Sequence, residues 1–272
     1  MKQDPSFLIS QEITNSNFIK TVTKVTHLTD VENMQFFGYD NSYIIFNYGE
    51  VFITEKNGKR INSPKIYLKS VREDYFYFSC KKNTSYVVIV LNPCSFYNIT
   101  GLNAHEQKEQ YLTLNNYVKN DLLEEMYEEI NKLEAAEKIS TYFLKKMNSY
   151  IDKWNQNLLI DEIISNIIES NGIIQIDEIL TKYNISASTA NRYFKKFVGT
   201  TIGAYIRLVK FNILILALNT NKRNLQDIIA QYNYYDQTHL TKDFKKFSGV
   251  TPAEYKGPNH KLLQETLLNK KE

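Results

Sequence analysis

Phe194-Lys195-Lys196-Phe197 returns as Phe244-Lys245-Lys246-Phe247, and around it Gly199 matches Gly249, Thr201 matches Thr251 and Tyr205 matches Tyr255, every pair 50 residues apart. Upstream, Tyr183-Asn184 matches Tyr232-Asn233 at a spacing of 49, so the second copy holds one extra residue in its turn. Two copies do not make a solenoid, which needs about three stacked units to bury a continuous core. They predict a tandem pair of small helical lobes.

Each copy follows the order helix, turn, helix. A short helix carries Ile176, Ile179 and Leu180 in the first copy, and Ile228 and Ile229 in the second. Asn184 or Asn233 stands in the turn, where asparagine accepts left-handed backbone angles better than most residues. Ser186 or Asp236 is placed to N-cap the next helix. Gly199 or Gly249 is placed to end it, since glycine takes the left-handed C′ position without a Cβ clash. Thr251-Pro252 then combines a cap with a first-turn proline.

In a helix-turn-helix the second helix enters the major groove of DNA, and its N-terminal residues meet base edges. Positions i, i+3, i+4 and i+7 of the first such helix put Ser188, Asn191, Arg192 and Lys195 on one face, with Ala190, Phe194 and Phe197 turned to the core. Asparagine can pair bidentately with adenine, and arginine with guanine. The equivalent face of the second helix holds Gln237, Thr238, Thr241, Lys242 and Lys245. Lys196 and Lys246 come later in each helix and suit phosphates, which position a protein without reading sequence. A single basic helix is more often a solvated face. Two copies with matched caps, turns and basic faces favour DNA.

Charge points the same way. The net charge of +3 is too small to require a polyanion, but its distribution is uneven. From Ile179 to Gln226 there is no Asp or Glu, while Lys182, Arg192, Lys195, Lys196, Arg207, Lys210, Lys222 and Arg223 all fall there. An acid-free run of that kind suggests a polyanion partner.

Working outward, Leu158–Ser170 reads as an amphipathic helix ended by Gly172, and further helices are expected at Gln175–Lys182, Ala187–Val198, about Ile202–Asn219, about Leu225–Gln231 and Asp236–Phe247. Phe211–Leu218 is apolar nearly all round, which predicts burial between the two lobes. Leu112–Asn148 places Leu114, Tyr117, Val118, Leu122, Met126, Ile130 and Leu133 at helical spacing. Two helices are expected there, packed on a sheet, dimerising, or both.

Residues from about 36 to 93 read as strands: Tyr43–Phe46, Val51–Thr54, Lys65–Leu68, Tyr75–Phe78 and Tyr86–Leu91 are rich in β-branched and aromatic residues. Asn57-Gly58 predicts a two-residue hairpin turn with positive φ at both positions. The expected fold class is α+β in two domains. Residues 1–103 form a β-rich regulatory domain (an antiparallel sheet or barrel), 104–154 a helical connector and candidate dimerisation element, and 155–272 an all-α domain with two helix-turn-helix units.

The stretch Tyr234–Tyr255 resembles the C-terminal signature of the AraC/XylS family of transcriptional regulators, and the likeness extends over about 158–256. Ser186–Gly199 resembles the family's first recognition helix, and the longer second turn is a family trait. This chain has Asn184 and Asn233 where the family usually has glycine, Lys210 for a usual arginine, Leu214 for a usual alanine, and Ile202 where a proline is common. Val87–Leu102 is similar to the sensor domain of some members from the Bacteroidetes group, which implies a β-rich, cupin-like regulatory domain. The resemblance implies double-stranded DNA as partner. RNA polymerase, a small-molecule effector and a second copy of the chain are further candidate partners.

Other chemistry finds little support. His27, His105, His239 and His260 are scattered without ligand spacing, so no metal or other cofactor is expected. No phosphate-cradling glycine loop and no catalytic constellation occur, which argues against an enzyme. Cys80 and Cys94 read as reduced, half-buried residues of a cytosolic protein; Cys94 as a reactive thiol is the sharper and less favoured reading. Tyr43, Phe46, Tyr48, Tyr67, Tyr75 and Tyr77 are sheet residues first and candidates for an effector pocket second. The longest apolar runs, Val87–Leu91 and Ile213–Leu218, are too short to cross a bilayer, and residues 1–10 lack a signal peptide's apolar stretch. A soluble, cytoplasmic protein is expected. Two function classes remain: a sequence-specific regulator, or an interaction module whose lobes no longer read DNA.

Overall fold

The computed structural model describes residues 6–14, 16, 18–151, 157–220, 231–232 and 234–255, without the side chains of 219 and 220. Two antiparallel sheets come first. One has the order β1 (Phe7–Ile13), β2 (Ile19–His27), β9 (Ser85–Leu91), β4 (Ser42–Tyr48) and β7 (Ile66–Lys69). The other has the order β3 (Val31–Phe36), β8 (Phe76–Cys80), β5 (Val51–Glu55) and β6 (Arg60–Asn62).

The run Tyr86–Leu91 is apolar at every position because both its faces are covered. Alternate strand residues point to opposite faces. Tyr86, Val88 and Val90 pack with Val51, Ile53 and Phe78 of the second sheet. Val87, Ile89 and Leu91 pack instead with helices: α1 (Ser95–Thr100), α2 (Asn120–Lys132) and α3 (Ala136–Ile151). The buried stripe Leu123, Met126, Ile130, Ile139, Phe143 and Met147 lies in that second core. Of the stripe expected at 112–148, Leu114, Val118, Met126 and Ile130 are buried in this core and Tyr117, Leu122 and Leu133 are half-buried against it, so the expected packing on a sheet is observed.

Strand β2 sits beside β9 at the centre of the sheet, and β1 pairs with β2 over seven residues. Sequence reading missed both, and β3 as well. The disguise is partly Lys24, which is 4% exposed in mid-strand. Its Nζ donates to the carbonyls of Asn131 at 2.9 Å and Leu133 at 2.8 Å, so the lysine caps the end of α2 from below.

The turn at Asn57-Gly58 is a hairpin of three loop residues. Glu55 N–H donates to the Lys59 carbonyl at 2.8 Å, and Gly58 (φ 83°) takes the left-handed angle while Asn57 does not. A type I turn closed by a left-handed glycine has this geometry.

Helices α4 (Leu158–Glu169), α5 (Ile176–Lys182), α6 (Ala187–Phe197), α7 (Ile202–Thr220) and α8 (Gln237–Ser248) build a third core. The predicted short helix near 225–231, with Ile228 and Ile229, and also Asn233, Lys222 and Arg223, lies outside the described residues except for Gln231. As its all-round apolar pattern foretold, α7 is the central element: Tyr205, Leu208, Val209, Phe211 and Ile215 are fully buried. This core also takes in Phe37, Val71 and Cys94 from the β-rich part. No single helix among the described residues is long and apolar enough to cross a membrane.

Candidate nucleic-acid interface

The two repeats fold alike where local rules govern. Asn184 takes φ 49°, so asparagine does here what glycine would do. Ser186 Oγ accepts the Thr189 N–H at 3.1 Å, and Asp236 Oδ1 accepts the His239 N–H at 2.7 Å. Each side chain satisfies one of the donors that a helix start leaves open. Ala190, Phe194 and Phe197 of α6 are buried, as are Leu240, Phe244 and Phe247 of α8. These are equivalent positions. Thr251, expected as a cap, acts as one in a reciprocal pair with Glu254, Thr251 N–H donating to Glu254 Oε2 at 2.8 Å and Glu254 N–H to Thr251 Oγ1 at 3.3 Å.

The opposite faces are open. On α6, Ser188, Arg192, Lys195 and Lys196 are exposed and Asn191 is half-buried. On α8, Gln237, Thr238, Lys242, Lys245 and Lys246 are exposed and Thr241 is half-buried. The structure thus leaves the predicted residues of each helix accessible, except that Lys246 turns to the β-rich part.

Three of the bases are engaged inside the protein instead. Lys246 pairs with Glu73 of the β-rich part. Arg207 Nε lies 3.4 Å from Asp243 Oδ1, with His239 Nε2 3.9 Å from the same carboxylate's other oxygen. Lys210 is 8% exposed, with its Nζ 5.1 Å from the centre of the Tyr234 ring. Burial pushes the Asp243 carboxyl above its ordinary range, against the pull of Arg207 and His239. Burial pushes the Lys210 ammonium down. Asp243 is the single acid on α8, and no periodicity argument assigns it an inward-facing partner on another helix. Its one visible signal was to be an acid in an otherwise basic helix.

Helices α6 and α8 are both held at their C-terminal ends by residues that precede the helical domain, α6 by the start of the connector and α8 by the β-rich part. Ala104 N–H donates to the Lys196 carbonyl at 2.9 Å and His105 N–H to the Lys195 carbonyl at 3.1 Å. Gly38 N–H donates to the Phe247 carbonyl at 3.1 Å, and Gln35 Nε2 to the Ser248 carbonyl at 2.8 Å. A helix end leaves about four carbonyls open, so these contacts replace water with fixed donors. Glu73 links the two units: Thr200, just after α6, and Lys246 of α8 each donate to one of its carboxylate oxygens. Burial alone would raise the Glu73 carboxyl, but these hydrogen bonds outweigh it and hold the group below the usual range.

The cysteines are both free and fully buried, deeper than the half-buried sites expected. Burial raises the Cys80 thiol to about 12 and pushes Cys94 up as well. A thiol held in that form is a poor nucleophile, which weighs against Cys94 as a reactive thiol. Of the six candidate pocket aromatics, Tyr43 and Tyr67 line a cavity of about 70 Å³ between the sheets, with Tyr39, Phe76, Phe78 and Tyr86. Phe46 packs in the helix-side core, and Tyr48 lies against Tyr127 with ring centres 4.6 Å apart.

Two helices capped alike and open on basic faces, the first preceded by a tight turn at Asn184, have the arrangement of helix-turn-helix proteins. A helix-turn-helix domain family matches residues 179–257. The probable transcription factor PqrA of Proteus vulgaris is 32% identical over 89 residues, which are 33% of this chain and 73% of that protein. The chain belongs to the AraC/XylS family of transcriptional regulators. The right origin-binding protein of Escherichia coli (strain K12) is 35% identical over 83 residues, 30% of this chain. The match spans 29% of that protein's length. The structure of ToxT from Vibrio cholerae O395 is 15% identical, with a TM-score of 0.47 over 93% of this chain and 97% of that one.

Proposed function

We propose that this chain is a sequence-specific regulator that sets α6 and α8 into two successive major-groove segments on one face of DNA. The observation that carries this reading is the matched pair of helices, capped alike and open on equivalent faces. Arg192 and Asn191 read bases in the first segment. Gln237, Thr238 and Lys242 meet base edges in the second, with Ser188 and Thr241 beside them. Lys195, Lys196 and Lys245 sit on phosphates. Lys246 is withdrawn from that set because Glu73 holds it.

The β-rich part and the connector that follows it control docking, because together they grip the ends of both helices. The inter-sheet cavity is the place for an effector. Its aromatic lining, and a Tyr86 hydroxyl without a hydrogen-bond partner among the described residues, suit a small, largely apolar molecule with one polar group.

Binding selection from a random DNA pool with the full chain, at two salt concentrations, tests the reading. Enrichment of a bipartite motif with half-sites about one helical turn apart is expected, with affinity falling steeply as salt rises. Weak binding without sequence preference and with a shallow salt dependence would support instead an interaction module that no longer reads DNA.

A further inference from the structure

The two units differ by one residue, and the structure identifies it. In the first unit, Ile185 packs against the helical core and the next residue, Ser186, caps α6. In the second unit, Tyr234 takes the core position at 5% exposure and Asp236 takes the cap. Tyr235 stands between them. It is 93% exposed, the most exposed of the large apolar side chains among the described residues.

A single exposed tyrosine is ordinary on a protein surface. Its place is what gives this one meaning. It immediately precedes the cap of a helix whose open face carries Gln237, Thr238, Lys242 and Lys245. The N-terminal end of a recognition helix is the end that approaches the duplex. Tyrosine hydroxyls are among the groups that bond phosphate oxygens there. An added residue that served only to lengthen the turn would gain nothing from a large side chain held in water.

We propose that Tyr235 is a backbone contact of the second lobe, its hydroxyl donating a hydrogen bond to a phosphate oxygen at the edge of the groove that α8 enters. This rests on the DNA-binding reading above. The first lobe has no counterpart, because its turn is one residue shorter. The second lobe therefore gains a positioning contact at its N-terminal end, while its late lysine, Lys246, faces the β-rich part.

The test uses the full chain on the duplex selected above and on an unrelated duplex of equal length at low salt. Tyr235→Ala, Tyr235→Phe and Arg192→Ala are compared, with thermal melts to verify that each variant folds. Tyr235→Ala is expected to weaken both duplexes alike, by roughly fivefold to twentyfold for one lost hydrogen bond. Tyr235→Phe should lose most of that factor, and ethylation of one phosphate that blocks the parent should no longer matter to Tyr235→Phe. Parental affinity of Tyr235→Ala on both duplexes, while Arg192→Ala loses the selected one, would sink this inference and leave the DNA reading intact. A changed sequence preference in Tyr235→Ala, with the unrelated duplex unaffected, would make it a base reader and overturn the phosphate assignment. Failure of the parent chain on both duplexes would overturn the DNA reading itself, and this inference with it.

Discussion

The first and second helix-turn-helix units share caps, core positions and glycine stops, yet their late lysines have different surroundings. Lys196 of α6 is exposed, with its Nζ 5.2 Å from the centre of the Tyr97 ring and no acidic partner among the described residues. Lys246, its counterpart in α8, pairs with Glu73. The N-terminal half of each helix is the same structure twice. The C-terminal half is whatever the β-rich part and the connector make of it. A repeat in sequence therefore promises equivalent folding but not equivalent use.

The largest effects should be the shared ones. Phe194→Ala and Phe244→Ala remove equivalent, fully buried rings, and each should destabilise the protein by about 3–5 kcal/mol in chemical unfolding. A large inequality would mean that the two lobes do not carry equivalent cores.

Next come the DNA contacts, where the lobes should begin to part. Arg192→Ala is expected to cost roughly 1–3 kcal/mol of specific binding and to relax the preferred sequence. Lys196→Ala should weaken all duplexes alike. Lys246→Ala should leave DNA affinity near the parent's, measured by titration at two salt concentrations. A loss equal to that of Lys196→Ala would restore the symmetry that the Glu73 pair argues against.

The helix stops offer a finer comparison. Gly199 and Gly249 have φ of 99° and 81°, so alanine is strained at both. A Cβ at Gly249 would also lie 2.6 Å from the Tyr75 ring, whereas at Gly199 the nearest atom is 3.4 Å away. Gly249→Ala should cost about 1–2 kcal/mol and Gly199→Ala somewhat less, by thermal melting. The reverse order would show that Tyr75 moves aside freely.

The smallest effect concerns the tie between the lobes. Glu73→Gln should cost about 1 kcal/mol or less at neutral pH, since one partner, Lys246, is well exposed. The sign with pH follows from the lowered carboxyl. Its contribution is complete above the ordinary carboxylate range and disappears as pH falls through the lowered folded-state value. The gap in melting temperature between parent and Glu73→Gln should therefore close on acidification. A gap that stays constant to low pH would mean that the charge of Glu73 contributes nothing.

Much of the helical half was legible because its signals are local. Asn184, Ser186 and Asp236 act on backbone groups within about three residues, so the chain states them directly. The all-round apolar run Phe211–Leu218 likewise announced a buried helix. In the β-rich half the alternation of Tyr86–Leu91 was hidden because both faces are covered, and β2 was hidden by a lysine that caps a distant helix.

By itself the sequence determined two capped, basic, paired helices and the family to which they belong. Tertiary structure alone decided that the α2–α3 stripe faces the chain's own sheet, that Arg207 and Lys246 turn to Asp243 and Glu73, and that Tyr235 is the residue left standing in water. The physical reason is range. Caps, turns and periodicity are settled within one or two helical turns. A partner such as Glu73 for Lys246, 173 residues away, exists only once three separate cores have packed and brought the two together.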